Sequence, residues 1–238
     1  MFQYPPKAQR FFGCLFFGLL TLLFFFKSPA SAQAPGASVL TPESIQRASD
    51  AAHEDFPNFL RAALQRPADY GFMPGDDDSN VRLASPLFIY NLAADSTNSV
   101  AADGSNLLSV IEPAGEWIFP VSVGNDDYRT LFGVRLHGQV WKAAYLGNSY
   151  LAKQIQGLRA AWRKDGIDRF KLVSCVNPRA FFFIVEDAPL PNLTPLTPLV
   201  FGPNQKLMPP SDWQEITPAS ISVGFLKALW SQGAADQP

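Results

Sequence analysis

Cysteine and histidine, the residue types that most often serve as nucleophile and general base, are scarce in this sequence. Residues 33–238 contain one cysteine, Cys175, and two histidines. Cys175, His137 and either Asp126 or Asp127 supply the residue types of a nucleophilic triad, which works only when its members lie within hydrogen-bond reach. His137 falls in a predicted hairpin turn, and Cys175 falls in a predicted strand, not at a helix N-terminus that would stabilise a thiolate. Because no Gly-x-Ser-x-Gly motif is present either, we predict no catalytic residue of this kind.

Metal and nucleotide chemistry have little support. Four Cys or His ligands for a structural zinc ion cannot be assembled from one cysteine and two histidines. Asp76, Asp78 and Asn80 have the alternating oxygen ligands of a calcium loop, but Val81 replaces its glycine and Leu87 replaces its bidentate acid. Glycine-rich phosphate loops are also missing from the sequence. We therefore predict no metal site and no cofactor.

Paired carboxylates remain an alternative. Glu112 and Glu116 flank a predicted turn, and two facing carboxyl groups can carry out glycoside hydrolysis. An envelope hydrolase acting through carboxylates should have a concave pocket in which acids such as Glu112, Glu116 and Asp126 converge. This enzyme hypothesis is the second choice, and whether the protein is an enzyme at all stays open.

The preferred hypothesis is a binding function, and it is based on three basic residues. Strand alternation predicts Arg129, Arg135 and Lys142 on one sheet face, together with the apolar Leu131 and Val140. Such a face can receive an anionic ligand or a peptide. The competing interpretation is that a helix packs on this face and that the basic groups are charges at its rim.

A second mode of binding is addition of a partner strand to the predicted strand 116–123. Pro120 cannot donate to a strand ladder, so it predicts that this strand is an edge or contains a bulge. An edge strand accepts an extended peptide through its main chain, although Pro120 would limit the pairing.

The first 32 residues have the three parts of a secretory signal peptide. Lys7 and Arg10 precede an apolar run from Phe11 to Phe26, and Ala30-Ser31-Ala32 offers small residues for cleavage near Ala32. The alternative is an uncleaved leader that anchors the protein and provides its only membrane contact. We predict export to the periplasm or the extracellular space.

Removal of the leader changes the charge and the thiol content. The whole chain has a formal net charge of −2, and loss of three basic residues makes the remainder more acidic, which excludes a strongly basic nucleic-acid-binding protein. Cys14 leaves with the leader, so no disulfide within the chain is available to Cys175. We predict that Cys175 is buried as a small apolar residue, with pairing between chains as the alternative.

The elements that must position these residues begin with a helix. Thr41 followed by Pro42 is typical of a helix start, and an apolar stripe continues to Ala63. Pro57 predicts a kink or a new start within that helix. Residues 81–92 form a strand candidate that contains Pro86.

Three strands are predicted at 116–123, 128–136 and 139–146, because apolar residues alternate there with period two. The turns between them are residues 124–127 and His137-Gly138. If the residues on either side of each turn face each other, the pairing places apolar residues on one face of all three strands. A shift of the pairing by one residue would move them to opposite faces. The predicted rows are Trp117–Val134–Trp141, Phe119–Phe132–Ala143 and Val121–Thr130–Tyr145.

A second helix should begin at Asn148 or Ser149, bury a stripe ending at Trp162 and stop near Gly166. A hairpin is predicted from residues 170–176 and 180–186, followed by a Pro-rich segment at 189–218 and a terminal helix. The fold class is therefore α+β: a mostly antiparallel sheet built on the three-stranded meander 116–146 and flanked by amphipathic helices.

We predict residues 33–40 as a linker and 41–238 as one domain. The order of elements resembles small exported α+β modules that accompany or inhibit peptidases and other envelope enzymes. The function expected is an exported, non-catalytic interaction module of the bacterial cell envelope, whose partner is another envelope protein or a peptide. Arg129, Arg135 and Lys142 are its candidate binding residues.

Overall fold

A large, mostly antiparallel sheet and a small number of helices form this α+β protein, known here from a computed structural model. The structure describes residues 40–92, 107–124, 126–175, 179–189, 191–202, 205–214 and 220–226. These ranges belong to one unit of the chain, Ala34–Pro238. The predicted signal peptide 1–32 and nearly all of the predicted linker 33–40 lie outside the described residues.

Two α-helices lie wholly within the described ranges, α1 at Pro42–Ala63 and α2 at Ser149–Trp162. Twelve strands accompany them in the described ranges. They are β1 Val81–Leu83, β2 Leu87–Leu92, β3 Ile111–Val123, β4 Asp127–His137, β5 Val140–Gly147, β6 Arg163–Lys164, β7 Ile167–Asp168, β8 Phe170–Cys175, β9 Ala180–Val185, β10 Thr194–Pro195, β11 Leu199–Gly202 and β12 Gln205–Leu207.

The main sheet has the order β10-β9-β8-β2-β3-β4-β5, and β1 pairs with β3 beyond the end of β2. Only the pairing of β2 with β8 is parallel among the described strands. Among the described strands, the two edges of the main sheet are β10 and β5. β3 lies in the interior of the sheet, so the prediction of an edge at 116–123 is wrong.

Pro120 is tolerated inside the sheet because of its position along β3. Leu87 of β2 pairs with Ile118 and Leu83 of β1 pairs with Val121, so Pro120 faces the gap between these two neighbours. Its carbonyl accepts a hydrogen bond from the Ala84 amide at 2.7 Å. The missing N–H points toward the same gap, where β2 contributes no ladder partner.

Helix α1 covers one face of the sheet. Thr41 caps it as predicted, because its Oγ1 accepts from the Ser44 amide at 3.2 Å. The helix is continuous through Pro57, so the predicted restart is not found. Its buried residues pack against Trp117, Phe119, Phe132, Val134 and Trp141. Trp141 Nε1 also donates to Ser44 Oγ at 3.2 Å and ties the helix to β5.

Helix α2 covers the opposite face. Asn148 is the N-cap and accepts from the Leu151 amide at 3.1 Å. Leu151, Ile155 and Leu158 pack against residues of β2, β3, β4, β8 and β9. The helix ends at Trp162, before the predicted stop at Gly166, because β6 and β7 pair as a small hairpin whose turn residues Asp165 and Gly166 both have positive φ.

The predicted register between β3 and β4 is found for the pairs Trp117–Val134, Phe119–Phe132 and Val121–Thr130. Nearer the turn it shifts, because a bulge pairs Ser122 with Tyr128 and Val123 with Asp127.

The register of β4 with β5 differs from the prediction. Trp141 faces Leu136 instead of Val134, because the two-residue turn is Gly138-Gln139, with Gly138 at φ +64°. Positive φ at the first turn position suits glycine far better than histidine. Trp141 nevertheless packs in the same apolar cluster as Trp117 and Val134.

The remaining strands close the other end of the sheet. β8 and β9 form the predicted hairpin, and the prediction of a buried Cys175 is confirmed. The Pro-rich segment 189–218 contains β10, β11 and β12, so it is more structured than predicted. Residues 223–226 are helical, and the rest of the predicted terminal helix lies outside the described residues. Within the described ranges no helix combines the length and the apolar composition needed to span a membrane.

Candidate functional site

A row made mostly of polar and charged residues crosses the α2 face of the sheet beside the start of α2, with a step of two residues between Asn91 and Ile89 on β2. Phe181 pairs with Ser174, which pairs with Asn91. In the neighbouring strands Glu116 pairs with Arg135, which pairs with Lys142. A cavity of about 530 Å³ follows this row, with a lining drawn from β9, β8, β2, β3, β4 and β5 in their order across the sheet. We call it the transverse groove.

A bulge in β3 helps to open the transverse groove. Ile89 pairs with Glu116, and the next residue, Tyr90, pairs with Pro113, so Ala114 and Gly115 are extra residues on β3. Gly115 has φ +65°, a left-handed conformation that glycine adopts without steric cost. Ala114 lines the groove. Bulges of this kind commonly re-aim side chains at functional sites.

A second irregularity brings Tyr145 into the groove. Val134 pairs with Ala143 and Gly133 pairs with Tyr145, so Ala144 is an extra residue on β5. The bulge reverses the alternation of β5, so the predicted place of Tyr145 in the row Val121–Thr130–Tyr145 is wrong, whereas Val121 and Thr130 do pair. The ring of Tyr145 lies over Gly133, where a Cβ atom would be 2.2 Å from its Cε1.

Glu116 is the centre of a short hydrogen-bonded network. Arg135 Nε donates to Glu116 Oε2 at 2.7 Å, and Tyr145 OH donates to Glu116 Oε1 at 2.7 Å. The Arg135 guanidinium carbon also lies 5.5 Å from the centre of the Tyr145 ring, which favours a cation–π contact. Both carboxylate oxygens are therefore occupied, and Glu116 is held in one orientation.

The environment keeps Tyr145 and Arg135 in fixed protonation states. Burial is the main cause that raises the pKa of Tyr145, and the negative charge of Glu116 adds to it. The hydrogen bond to Glu116 raises the pKa of Arg135. Tyr145 therefore stays a neutral donor and Arg135 stays a cation, so these two side chains can hold and orient a negative charge.

Arg135 has hydrogen-bond donors that remain available for a ligand. Its side chain is 53% exposed while that of Glu116 is 12% exposed, so the guanidinium reaches from a buried anchor toward solvent. No described residue accepts a hydrogen bond from its Nη1 or Nη2. Lys142, its neighbour on β5, is also exposed. Arg135 lines the groove, and Lys142 lies beside Arg135 on β5 without being one of the lining residues.

Arg129 does not share this environment. It is the unpaired residue of the β4 bulge and is 8% exposed. Its Nε lies 3.1 Å from Asp76 Oδ2, and its Nη1 lies 2.7 Å from Asp127 Oδ2. Of the three predicted binding residues, the sheet brings Arg135 and Lys142 together, and it places Arg129 in a separate ion-pair network.

The other sequence candidates are dispersed. Glu116 is the only acid among the described residues that line the transverse groove; Glu112 is exposed opposite the groove residue Asn91, and Asp126 is exposed in the turn between β3 and β4. Asp76, from the calcium-like segment, is bound to Arg129 and to the Met73 amide. In the described part of the chain, no three Asp, Glu, His or Cys side chains cluster as metal ligands do.

Three groove residues, Tyr145, Asn91 and Ser174, are not among those that the sequence predicts for the site. Gly133 carried a usable signal for Tyr145, because a glycine inside an otherwise apolar strand often marks the close approach of another group. Nothing comparable marks Asn91 or Ser174, whose proximity depends on a parallel pairing of distant strands.

Comparison with known proteins adds no relative. No protein-family model, curated protein or solved structure matches the chain. The candidate site therefore rests on its own geometry and chemistry.

Proposed function

We propose that this protein is an exported, non-catalytic interaction module of the bacterial cell envelope, and that its transverse groove binds an acidic, extended peptide segment of another envelope protein. The observation that carries the proposal is the state of Arg135. Its Nε is fixed by Glu116, while its two Nη groups have no acceptor among the described residues and face solvent. A fixed guanidinium loses little side-chain entropy when it binds a carboxylate with two parallel hydrogen bonds.

The dimensions of the groove favour a peptide over a small ion. Six neighbouring strands at about 4.8 Å spacing make it about 24 Å long, which matches about seven residues of extended chain. Phe181 offers an apolar contact at one end, and Asn91 and Ser174 offer hydrogen bonds between the ends. Arg135 and Lys142 supply positive charge at the other end, where acidic side chains of the peptide would lie.

The scaffold of this proposal is the three-stranded meander 116–146 with the amphipathic helices that flank it. α1 holds β5 from one face through Trp141 and Ser44, and α2 borders the groove on the other. Arg129 enters the proposal as a positioning residue that holds the start of β4. Arg135 and Lys142 are the residues assigned to ligand contact.

Export is part of the same proposal. Residues 1–32 act as a signal peptide, cleavage near Ala32 releases the module, and membrane contact occurs only where the leader stays uncleaved. Mass spectrometry of the protein isolated from the envelope of the producing cell tests this step. An N-terminus at residue 33 is expected, and a protein found intact in the cytoplasm would overturn it.

Selection from a library of displayed seven-residue peptides tests the binding function. We expect enrichment of peptides that carry Asp or Glu, with affinity that falls as salt is added. Arg135→Gln and Lys142→Gln should each weaken a selected peptide by about tenfold, because a charge-assisted hydrogen bond contributes about 1.5–3 kcal/mol.

Arg66→Gln is the matched control, since Arg66 is exposed and pairs only with Asp69 among the described residues. It should leave the affinity unchanged. Enrichment of no acidic peptide, or equal binding by the wild type and the Arg135→Gln variant, would refute the proposal.

A further inference from the structure

A second cavity, of about 670 Å³, lies at the other end of α2 and is separate in its lining from the transverse groove. It is bordered by the last residues of α2, by β6 and by the ends of the β8–β9 hairpin. The residues that matter for its chemistry are Trp162, Arg163, Lys164, Arg169, Val185 and Asp187. We call it the basic cavity.

The charges around the basic cavity are unbalanced. Arg163, Lys164 and Arg169 line it, and Asp187 is the only acid among its described lining residues. Arg169 Nη1 lies 3.7 Å from Asp187 Oδ2, a long contact between side chains that are 45% and 74% exposed. Exposed pairs of this geometry hold their partners weakly. Arg169 can therefore turn to another anion.

The other two cations are also incompletely neutralised. Arg163 Nε lies 3.7 Å from Asp168 Oδ1, but Asp168 is already bound by Arg159 Nη2 at 3.0 Å. Lys164 is exposed and has no hydrogen-bond or ion-pair partner in the described ranges. The cavity thus presents positive charge that its own acids do not cancel.

Trp162 adds an observation that does not depend on charge. Its Nε1 is buried and has no hydrogen-bond acceptor among the described residues. Because this nitrogen has almost no accessible surface, a ligand in the cavity does not reach it, and Trp162 offers the cavity only its ring. The indole ring of the same residue, with Val185, Ala188 and Pro189, makes the remaining wall largely apolar.

We infer that the basic cavity binds an amphiphile that has one anionic head group and an apolar tail. The head group lies against Lys164, Arg163 and Arg169, and the tail packs on the ring of Trp162, Val185 and Pro189. A cavity of this volume is within the range that holds ligands of this size. The head group can be the carboxylate of a free fatty acid or the phosphate of a lyso-lipid.

The probe for this site is 8-anilinonaphthalene-1-sulfonate, an aromatic anion whose fluorescence rises in apolar surroundings. It is titrated into the folded protein isolated from the producing cell. Decanoate should displace it, whereas decyltrimethylammonium, which has a similar tail and the opposite charge, should not. Comparing decanoate with lyso-phosphatidylglycerol identifies the head group, and displacement by either one supports the inference.

Variants locate the binding. Lys164→Gln with Arg169→Gln should weaken probe binding by about tenfold or more, because two charge-assisted contacts are lost. Trp162→Phe keeps the aromatic wall and removes an N–H that the cavity does not reach, so it should change probe binding little. Lys153 is an exposed lysine on α2 that does not line the cavity, so Lys153→Gln should have no effect on probe binding.

Near-ultraviolet circular dichroism establishes that each variant is folded. If Trp162→Phe fails to fold, the exposed charge variants still decide the matter. Equal displacement by the cationic amphiphile, or the same affinity in the Lys164→Gln, Arg169→Gln variant as in the Lys153→Gln control, would overturn the inference.

Discussion

The ring of Tyr145 occupies the space directly over Gly133, so that a single methyl group on Gly133 would lie 2.2 Å from Tyr145 Cε1. This approach lets the Tyr145 hydroxyl donate to Glu116, which in turn fixes Arg135. The absence of a side chain at Gly133 thus makes room for the Tyr145 ring and allows the network at the charged end of the transverse groove to form.

Replacement of Gly133 by alanine tests this relationship. We expect Gly133→Ala to lower the free energy of unfolding by about 1–3 kcal/mol, because the added methyl group must displace the Tyr145 ring in a closely packed region. Urea denaturation measures the change. Gly147→Ala is the control: no atom lies within 4 Å of its added Cβ, so the change should be below about 0.5 kcal/mol.

A double-mutant cycle separates the clash from other effects of the methyl group. In a Tyr145→Ala background the ring is gone, and Gly133→Ala should cost much less than in the wild type. An equal cost in both backgrounds would show that Tyr145 is not what excludes a side chain at position 133.

The buried ion pair of Arg129 and Asp76 should contribute to stability. Their side chains are 10% and 7% exposed, and Asp76→Ala leaves Arg129 with Asp127 as its remaining acidic partner. We expect a loss of about 1–3 kcal/mol in the free energy of unfolding. Asp69→Ala removes the exposed pair with Arg66 and should cost no more than about 1 kcal/mol. Equal losses would contradict the role assigned to Arg129.

Stability should depend on pH through Asp127. The hydrogen bond from Lys153 is the main cause that lowers the pKa of Asp127 below its ordinary value of 3.8. Because the folded pKa is the lower one, the stabilisation is present above pH 3.8 and is lost as the pH falls below it toward the folded value. Thermal unfolding between pH 7 and pH 2 should show a smaller acid-side loss for Lys153→Met than for the wild type. Parallel profiles would contradict this assignment.

The thiol of Cys175 should be unreactive in the folded protein. Burial raises its pKa to about 12, so almost no thiolate is present at pH 8. In a Cys14→Ser chain, which retains one cysteine, we expect labelling by 5,5′-dithiobis(2-nitrobenzoate) to be slow in buffer and fast in urea. Rapid labelling of the folded chain at pH 8 would show that the strand is open to solvent.

The features that could be predicted from the sequence are those that depend on residues close together in the chain. The Thr41 cap, the Asn148 cap and the pairing of Trp117 with Val134 follow from local hydrogen bonding and from strand alternation. The burial of Cys175 follows in the same way from its position in an apolar strand.

The candidate site was harder to predict because bulges and distant pairings set it. Ala144 is an extra residue on β5, and this alone moves Tyr145 from the α1 face to the α2 face. The parallel pairing of Asn91 with Ser174 joins strands far apart in sequence, and no local pattern specifies it. Arg135 and Lys142 were predicted together because they lie on consecutive strands on either side of one turn.

The most direct test of the central claim is the energetic coupling between Arg135 and an acidic residue of a bound peptide. Isothermal titration calorimetry gives the affinity of a selected peptide and of its Glu→Gln analogue for the wild type and for Arg135→Gln. We predict a coupling of at least about 1 kcal/mol, because the guanidinium and the carboxylate would bind each other in the transverse groove. A coupling of zero, with both proteins discriminating equally between the two peptides, would contradict the claim that Arg135 recognises an acidic peptide.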